Sequence, residues 1–316
     1  MANYNAGDVI RLMRNAAGMS QEELSDGICS VETLSRIENG KHKVKQSTYA
    51  GLMAKMERDL RKNYALCAGA DMELLEERIQ LEDAVAKHDY KEADRYLRKL
   101  KRKIENTKIS RQYVERLEGV IDYQLRRIDA EEYVRKMEDT IRITVPNYEK
   151  YLQIEEGGRT YPFTELEALT LISLANAYGD IGKTQKGIQI FDMLLLCLDE
   201  KYMDAESVGR LQMLIKRNYL RVLEQSGRYQ EAIENARMLL VDVIKNDYGR
   251  MIPVLLFGIA WDMRKIRIDN EESIEDILAD IKKMLRQAYY IAAARDDEAI
   301  LKIIKTYYYE CFGEEV

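Results

Sequence analysis

The fold is decided by residues 20–40, which read SQEELSDGICSVETLSRIENG. Ser20 can cap a helix, and Glu23 stands three residues later, which is the spacing of a capping box. Ser30 can cap a second helix in the same way. Asn39-Gly40 then supplies the residue types at which helices commonly end in a left-handed conformation. The stretch therefore predicts two short helices joined by a tight turn.

Two short helices joined by a tight turn are the unit with which helix-turn-helix proteins read DNA. The first helix braces the second, and the second presents its N-terminal residues to the major groove. On the second helix, Leu34 and Ile37 fall on one face and are expected to be buried. The opposite face holds the predicted base-reading residues Val31, Glu32, Ser35 and Arg36. A buried helical hairpin that contacts no DNA is the alternative, which this polar face disfavours.

Several of these residues resemble the helix-turn-helix of the lambda-repressor/Cro-type family. They are Gln21, Leu24, Ser30, Ser35-Arg36-Ile37-Glu38 and Asn39-Gly40. The turn Gly27-Ile28-Cys29-Ser30 resembles more narrowly the peptide-sensing regulators of Gram-positive bacteria, the Rgg, PlcR and PrgX group. This turn is one residue shorter than in the phage repressors. The resemblance covers about the first sixty residues and implies further DNA contacts from Ser20, Gln21 and Ser30.

A basic loop follows the second helix, with cations at Lys41, Lys43 and Lys45. In a helix-turn-helix domain such a loop lies against DNA phosphates, which position the protein without specifying sequence. An ordinary solvated loop is the alternative. A further helix capped by Ser47 would close this small domain, so we expect a DNA-binding domain at residues 1–66 and a second domain at residues 67–316.

Charge is distributed unevenly along the chain. Residues 1–62 carry ten Lys and Arg against eight Asp and Glu, whereas the remainder carries 39 against 47. A weakly basic head on an acidic body suits a sequence-specific DNA reader whose body stays off DNA.

Composition predicts an all-α protein in a reducing compartment. Only 3 of the 316 residues are Pro, and 33% are charged. Leu, Ala, Glu, Lys, Arg and Ile dominate, and most of these favour helices. The four cysteines form no CxxC pair, which indicates free thiols and a cytoplasmic location. The N-terminus lacks the layout of a signal peptide, and no apolar run has the length of a membrane span.

Catalytic and cofactor sites are not indicated. The two histidines lie in unrelated contexts, and no nucleophile motif of the GxSxG type occurs. The run from Gly179 to Thr184 lacks the first Gly of a phosphate-binding loop, because that position is Ala177. The chain is therefore expected not to be an enzyme and to need neither a cofactor nor a metal.

Beyond residue 73 the chain reads as helix after helix with recurring turns. The sharpest turns are Ser226-Gly227-Arg228-Tyr229 and Asp180-Ile181-Gly182-Lys183, and the pattern resembles tetratricopeptide-type repeats. Two repeats are clear at about 166–200 and 208–245, and others are expected at 75–105, 112–142 and between 250 and 312. Residues 144–163 are expected to form a longer loop. The predicted fold class is all-α, an N-terminal helix-turn-helix domain followed by a tetratricopeptide-like helical solenoid.

The resemblance to tetratricopeptide domains implies a peptide-binding face on the first helix of each repeat. Asn176 and Asn218 lie at positions where such domains use Asn to hold a peptide backbone, since an amide both donates and accepts. Arg217 and Arg221 flank the second Asn and can supply charge. The Lys that accompanies the first Asn in carboxylate-clamping repeats is replaced by Ile172, so binding of a peptide C-terminus is not expected. Solvated surface amides are the alternative.

The predicted function is sequence-specific DNA binding for transcription regulation, controlled by a short signalling peptide as in quorum sensing. One small domain contacts few bases, so we expect a homodimer on an inverted-repeat operator in double-stranded DNA. No membrane partner is expected. The alternative is a DNA-bound repeat scaffold that recruits a protein partner and binds no peptide.

Overall fold

The structure, a computed structural model, describes residues 6–56, 72–104, 106–152, 161–198, 205–245 and 248–316. Within these ranges there is no β-strand. The α-helices are α1 Ala6–Ala16, α2 Gln21–Ser25, α3 Val31–Glu38, α4 Gln46–Lys55, α5 Met72–Ala86, α6 Tyr90–Lys103, α7 Lys108–Gln124, α8 Ala130–Arg142, α9 Glu165–Asp180, α10 Thr184–Cys197, α11 Ala205–Gln225, α12 Tyr229–Lys245, α13 Ile252–Asp269, α14 Leu278–Ala293 and α15 Glu298–Phe312. Short 3-10 helices at Tyr148–Tyr151 and Gly249–Met251 precede α9 and α13. The predicted all-α fold class is confirmed.

The two helices predicted from residues 20–40 are present as α2 and α3. The Ser20 hydroxyl accepts a hydrogen bond from Glu23 N at 3.0 Å, and the Glu23 carboxylate accepts one from Ser20 N at 2.6 Å, which completes the capping box. Ser30 caps α3 by accepting from Thr33 N at 3.1 Å. Gly40 has a φ of 70°, the left-handed conformation that follows a helix end.

Helices α1–α4 enclose a small apolar core. Its buried members are Val9, Ile10, Met13, Leu24, Leu34, Ile37, Leu52, Met53 and Met56. Leu34 and Ile37 are among them, as the periodicity of α3 predicts. The opposite side of α3 therefore faces away from this core.

A buried ionic contact joins three of the four helices. The Glu38 side chain at the end of α3 is 1% exposed. The Arg14 guanidinium of α1 donates to both Glu38 oxygens, at 2.7 and 2.9 Å, and also to Met19 O at 2.9 Å. The Gln21 amide of α2 donates to the same carboxylate at 2.7 Å. A buried charge is stable only while such partners remain, so this contact fixes α1, α2 and α3 together.

The chain divides into two compact units, residues 1–212 and 213–316. In the first unit, consecutive helices from α5 to α10 pack against each other, and in the second unit the same holds from α12 to α15. These helices coincide with the predicted repeats. The predicted domain boundary at residue 66 lies outside the described residues, as does the middle of the predicted loop at 144–163.

Most turns between these helices close in one way. A residue with positive φ follows the helix, and the N–H of the next residue donates to a carbonyl in the last helical turn, as Lys183 N does to Tyr178 O at 2.8 Å. The predicted turns use Gly182 and Gly227 for this position. Other turns place a side chain in the same conformation, at His88, Arg126, Glu271 and Asp296. No glycine in the sequence therefore marks the position of these turns.

Arg14→Ala is expected to lower the local unfolding free energy of α1–α3 by about 3 kcal/mol, because it leaves Glu38 as an uncompensated buried charge. Hydrogen exchange of the amides in these helices, measured in the full chain, reports that quantity. Arg11→Ala is the matched control on α1. Arg11 pairs with Asp8 at the surface, at 2.9 Å, and should contribute less than about 1 kcal/mol. Equal effects of the two changes would contradict the proposed importance of Glu38.

Candidate functional site

The predicted base-reading residues lie together on the outer face of α3. Val31 is 39% exposed, Glu32 and Arg36 are exposed, and Ser35 is half-buried. The Arg36 side chain makes no hydrogen bond or ion pair with the residues that the structure describes, so its guanidinium is available to a ligand. This face presents a cation, an anion and an apolar group at helical spacing, and that variety suits reading base edges in a major groove.

The basic loop begins where α3 ends. Lys41, Lys43 and Lys45 are all exposed. The Lys41 backbone N–H donates to Arg36 O at 2.8 Å, which holds the start of the loop against the last turn of α3. Cations placed this way can contact phosphates on either side of a groove that α3 occupies.

Three further predicted DNA-contact residues lie at the starts of α2 and α3. The Ser20 and Ser30 side chains are exposed, and their hydroxyls serve as helix caps. The Gln21 side chain is half-buried, and its amide nitrogen is bonded to Glu38. Sequence reasoning did not identify this second role of Gln21, because the partner lies 17 residues further along the chain.

The predicted peptide-binding residues lie in both units. Asn176 is half-buried on α9, in the first unit. Arg217, Asn218 and Arg221 are neighbours on α11 within the second unit, and both arginines are exposed. The Asn218 amide nitrogen donates to Leu214 O on its own helix at 2.7 Å. Arg217 has exposed surface, but neighbouring protein partly desolvates its guanidinium, and this desolvation lowers its pKa. The charge of the Asp297 carboxylate acts in the opposite direction.

Two carboxyl groups in the second unit lie close together, and sequence reasoning did not identify them. Asp262 on α13 is 1% exposed, and its Oδ1 atom has no hydrogen-bond partner. Burial raises the pKa of Asp262 to about 8, and the charge of Glu224 adds to this effect. Burial likewise raises the pKa of Glu224 to about 7, against the charge of Arg221.

The residues that the structure describes contain no group of three or more His, Cys, Asp or Glu side chains that could hold a metal ion. Among them there is also no helix long and apolar enough to cross a membrane. Burial raises the pKa of the Cys197 thiol to about 11, so this cysteine is unreactive at neutral pH.

Arg36→Ala is expected to weaken binding to duplexes selected from a random pool by about 1–3 kcal/mol and to relax the preference at one base pair. Lys43→Ala should instead weaken binding to all sequences about equally and reduce the salt slope by about one unit. Lys283→Ala, an exposed change on α14, is the control and should alter neither. Loss of affinity without any change in base preference in both variants would contradict the role of Arg36.

From the raised pKa values of Glu224 and Asp262 we predict that the free energy of unfolding of the second unit falls as pH rises. In the unfolded chain both groups ionise near pH 4, whereas in the folded chain Glu224 and Asp262 ionise at about pH 7 and 8. Between these values the folded state binds more protons than the unfolded state, so the free energy of unfolding falls as pH rises. From pH 6 to 9 it should fall by about 3 kcal/mol more in the wild type than in Asp262→Asn.

Urea unfolding followed by the fluorescence of Trp261, the single tryptophan of the chain, measures this difference. Asp280→Asn removes an exposed carboxyl from α14 and should leave the pH dependence unchanged. Identical pH dependence in the wild type and Asp262→Asn would mean that Asp262 is hydrated in the folded chain.

The helix-turn-helix region matches a known family. A helix-turn-helix family model matches residues 10–61, which contain α2, α3 and α4. No curated protein sequence matches the chain.

Solved structures share the fold along almost the whole chain. PlcR of Bacillus thuringiensis, in complex with the peptide PapR7 and DNA, has a TM-score of 0.58 and 19% identity over 98% of this chain and 99% of that chain. ComR from S. thermophilus, in complex with DNA and its signalling peptide ComS, has a TM-score of 0.51 and 13% identity over 96% and 98%. The apo form of ComR from Streptococcus vestibularis gives 0.51 and 13% over 97% and 98%. The chain therefore carries an N-terminal helix-turn-helix domain and has the helical fold of PlcR and ComR.

Proposed function

We propose that the chain is a cytoplasmic transcriptional regulator that recognises its operator through α3 and is controlled by a short peptide. The observation that carries the DNA-binding part is the exposed polar face of α3 with an adjoining basic loop, in the segment that matches the helix-turn-helix family. A helix held by caps and by a buried ionic contact, with such a face turned outward, has the properties of a recognition helix.

Each side chain on this face has a base-pair preference that its chemistry sets. Arg36 can donate two hydrogen bonds to the O6 and N7 atoms of guanine. Glu32 can accept from a cytosine amine, and Val31 can contact a thymine methyl group. Lys41, Lys43 and Lys45 add phosphate contacts that raise affinity without sequence preference.

The peptide-binding part is supported by the fold and by the chemistry of α11. PlcR and ComR, which share this fold, have been solved with both a peptide and DNA bound. On α11, the Asn218 amide lies between two exposed arginines, Arg217 and Arg221. This group offers hydrogen bonds and positive charge to an extended peptide. Asn176 on α9 is a separate candidate in the first unit.

We further propose that two chains bind one inverted-repeat operator and associate through residues beyond 66. A single helix-turn-helix contacts too few base pairs for a genomic search, so such readers pair on two half-sites about one helical turn apart. Light scattering of the complex with a selected duplex measures the stoichiometry, and one chain per duplex would contradict the proposal.

A scaffold that recruits a protein partner is the second candidate, and one surface favours it. Helix α12 exposes three apolar side chains at three-residue spacing, Met238, Val241 and Ile244, each at least 50% exposed. Recovery of a large intracellular protein, and of no peptide, on the immobilised full chain would support this candidate over the peptide sensor.

Asn218→Ala is expected to remove the response of operator binding to peptide and to leave peptide-free DNA binding unchanged. The probe is the peptide fraction that the immobilised full chain retains from culture medium. In the wild type this fraction should change operator affinity about 5- to 150-fold, the usual range of allosteric coupling. Asn176→Ala tests the candidate in the first unit in the same way.

Asn235→Ala is the matched control, because Asn235 on α12 also donates its amide to a carbonyl four residues earlier, at 2.9 Å to Glu231 O. It should retain the full response. A full response in Asn218→Ala would exclude that residue from the site. A wild type that responds to no peptide would contradict the sensor and favour the scaffold.

A further inference from the structure

The buried carboxyl of Asp262 has no use in the function described so far. Its side chain is 1% exposed, and its Oδ1 atom has no hydrogen-bond partner among the described residues. Burial of a polar group without a partner is unfavourable, and proteins keep few such groups. The arrangement therefore points to a partner that the free chain does not contain.

Space for such a partner lies beside Gly258, one helical turn before Asp262 on α13. Apart from its two chain neighbours and the nearby backbone of α13, a Cβ atom at Gly258 would meet one atom of the described residues within 4 Å, Oε1 of Glu224, at 3.7 Å. Gly258 is half-buried, so part of its surface remains accessible to solvent. Glycine inside a helix is unfavourable relative to alanine, and here its lack of a side chain keeps the space open.

One cation and two carboxyl groups act on each other beside Gly258. Arg221 is the cation that acts on Glu224, and Glu224 is the charged group that acts on Asp262. Burial keeps both carboxyls partly protonated near neutral pH, and the charge of Glu224 adds to this effect at Asp262. A cationic group between them would favour both carboxylates and would supply Oδ1 of Asp262 with a hydrogen bond.

We propose that Glu224 and Asp262 bind a cationic group of the peptide ligand, either a Lys or Arg side chain or the terminal ammonium, in the space beside Gly258. This inference rests on the proposed peptide-binding function. A metal ion lacks the third protein ligand it would need, because the described residues contain no such cluster. An ammonium or guanidinium group instead carries several N–H donors, which two carboxylates can accept.

The first experiment titrates the full chain with synthetic hexapeptide pools and follows the fluorescence of Trp261, which precedes Asp262 on α13. Each pool fixes one position as Arg, Lys or citrulline, the neutral analogue of Arg, and is made with a free or an acetylated N-terminus. At one position the wild type should bind the cationic pool about tenfold to a hundredfold more tightly than the citrulline pool. If the terminal ammonium is the bound group, acetylation removes the gain and citrulline does not.

Variants of Glu224 and Asp262 test whether these two carboxyls cause the preference for a cationic peptide. The double variant Glu224→Gln with Asp262→Asn should bind neutral pools as before and lose the preference for a cation. Glu224→Gln alone should reduce the preference, and it decides the matter if the double variant does not fold. Glu234→Gln removes an exposed carboxylate from α12 and should retain the preference in full.

A second experiment measures protons released on binding. A bound cation converts the partly protonated pair into two carboxylates, so the wild type should release protons near pH 7. Calorimetric titration with the preferred pool, in buffers of different ionisation enthalpy, measures this release. The double variant should release none.

The possible failures are distinguishable. Equal affinity for cationic and neutral pools would overturn the cation site and leave peptide binding intact. A preference that persists in the double variant would also overturn it, since another acidic group would then be responsible. Failure of every pool to bind the wild type would overturn the peptide-binding function, and the cation site with it.

Discussion

One buried carboxylate, Glu38, determines how α3, the proposed DNA-reading helix, is held. It stands at the end of α3, inside the apolar core, and takes hydrogen bonds from Arg14 on α1 and Gln21 on α2. A carboxylate in such surroundings is stable only when its oxygens are satisfied. The three helices must therefore keep one arrangement, and the outward face of α3 is fixed as a consequence.

Local signals were sufficient to predict most of this domain. The capping box of Ser20 and Glu23, the cap at Ser30 and the periodicity of Leu34 and Ile37 are all short-range features, and the structure confirms each of them. Glu38 could not be identified in this way. Its burial depends on Arg14, 24 residues away, and sequence spacing alone does not show that two charges meet inside a core.

The repeats were clearest in the sequence where glycine marks a turn. Gly182 and Gly227 were recognised because a positive φ favours a residue without a side chain. His88, Arg126 and Asp296 adopt the same conformation without that mark. The acidic pair was missed for a related reason, because 55 acidic residues make chance pairs unavoidable. Asp262 does stand in line with Leu255, Ile259 and Ile266 on α13, and an acid within an apolar stripe is a signal that could have found it.

The end of α3 has a mechanical consequence. Lys41 N and Gly40 N donate to carbonyls in the last turn of the helix, at 2.8 and 3.0 Å, so the start of the basic loop is held to the helix. Any displacement that tilts α3 must carry Lys41, the first lysine of the basic loop, with it. Under the proposed function, base readout by α3 and phosphate contact by Lys41 then end in a single step, so we expect the release of DNA to be abrupt and not graded.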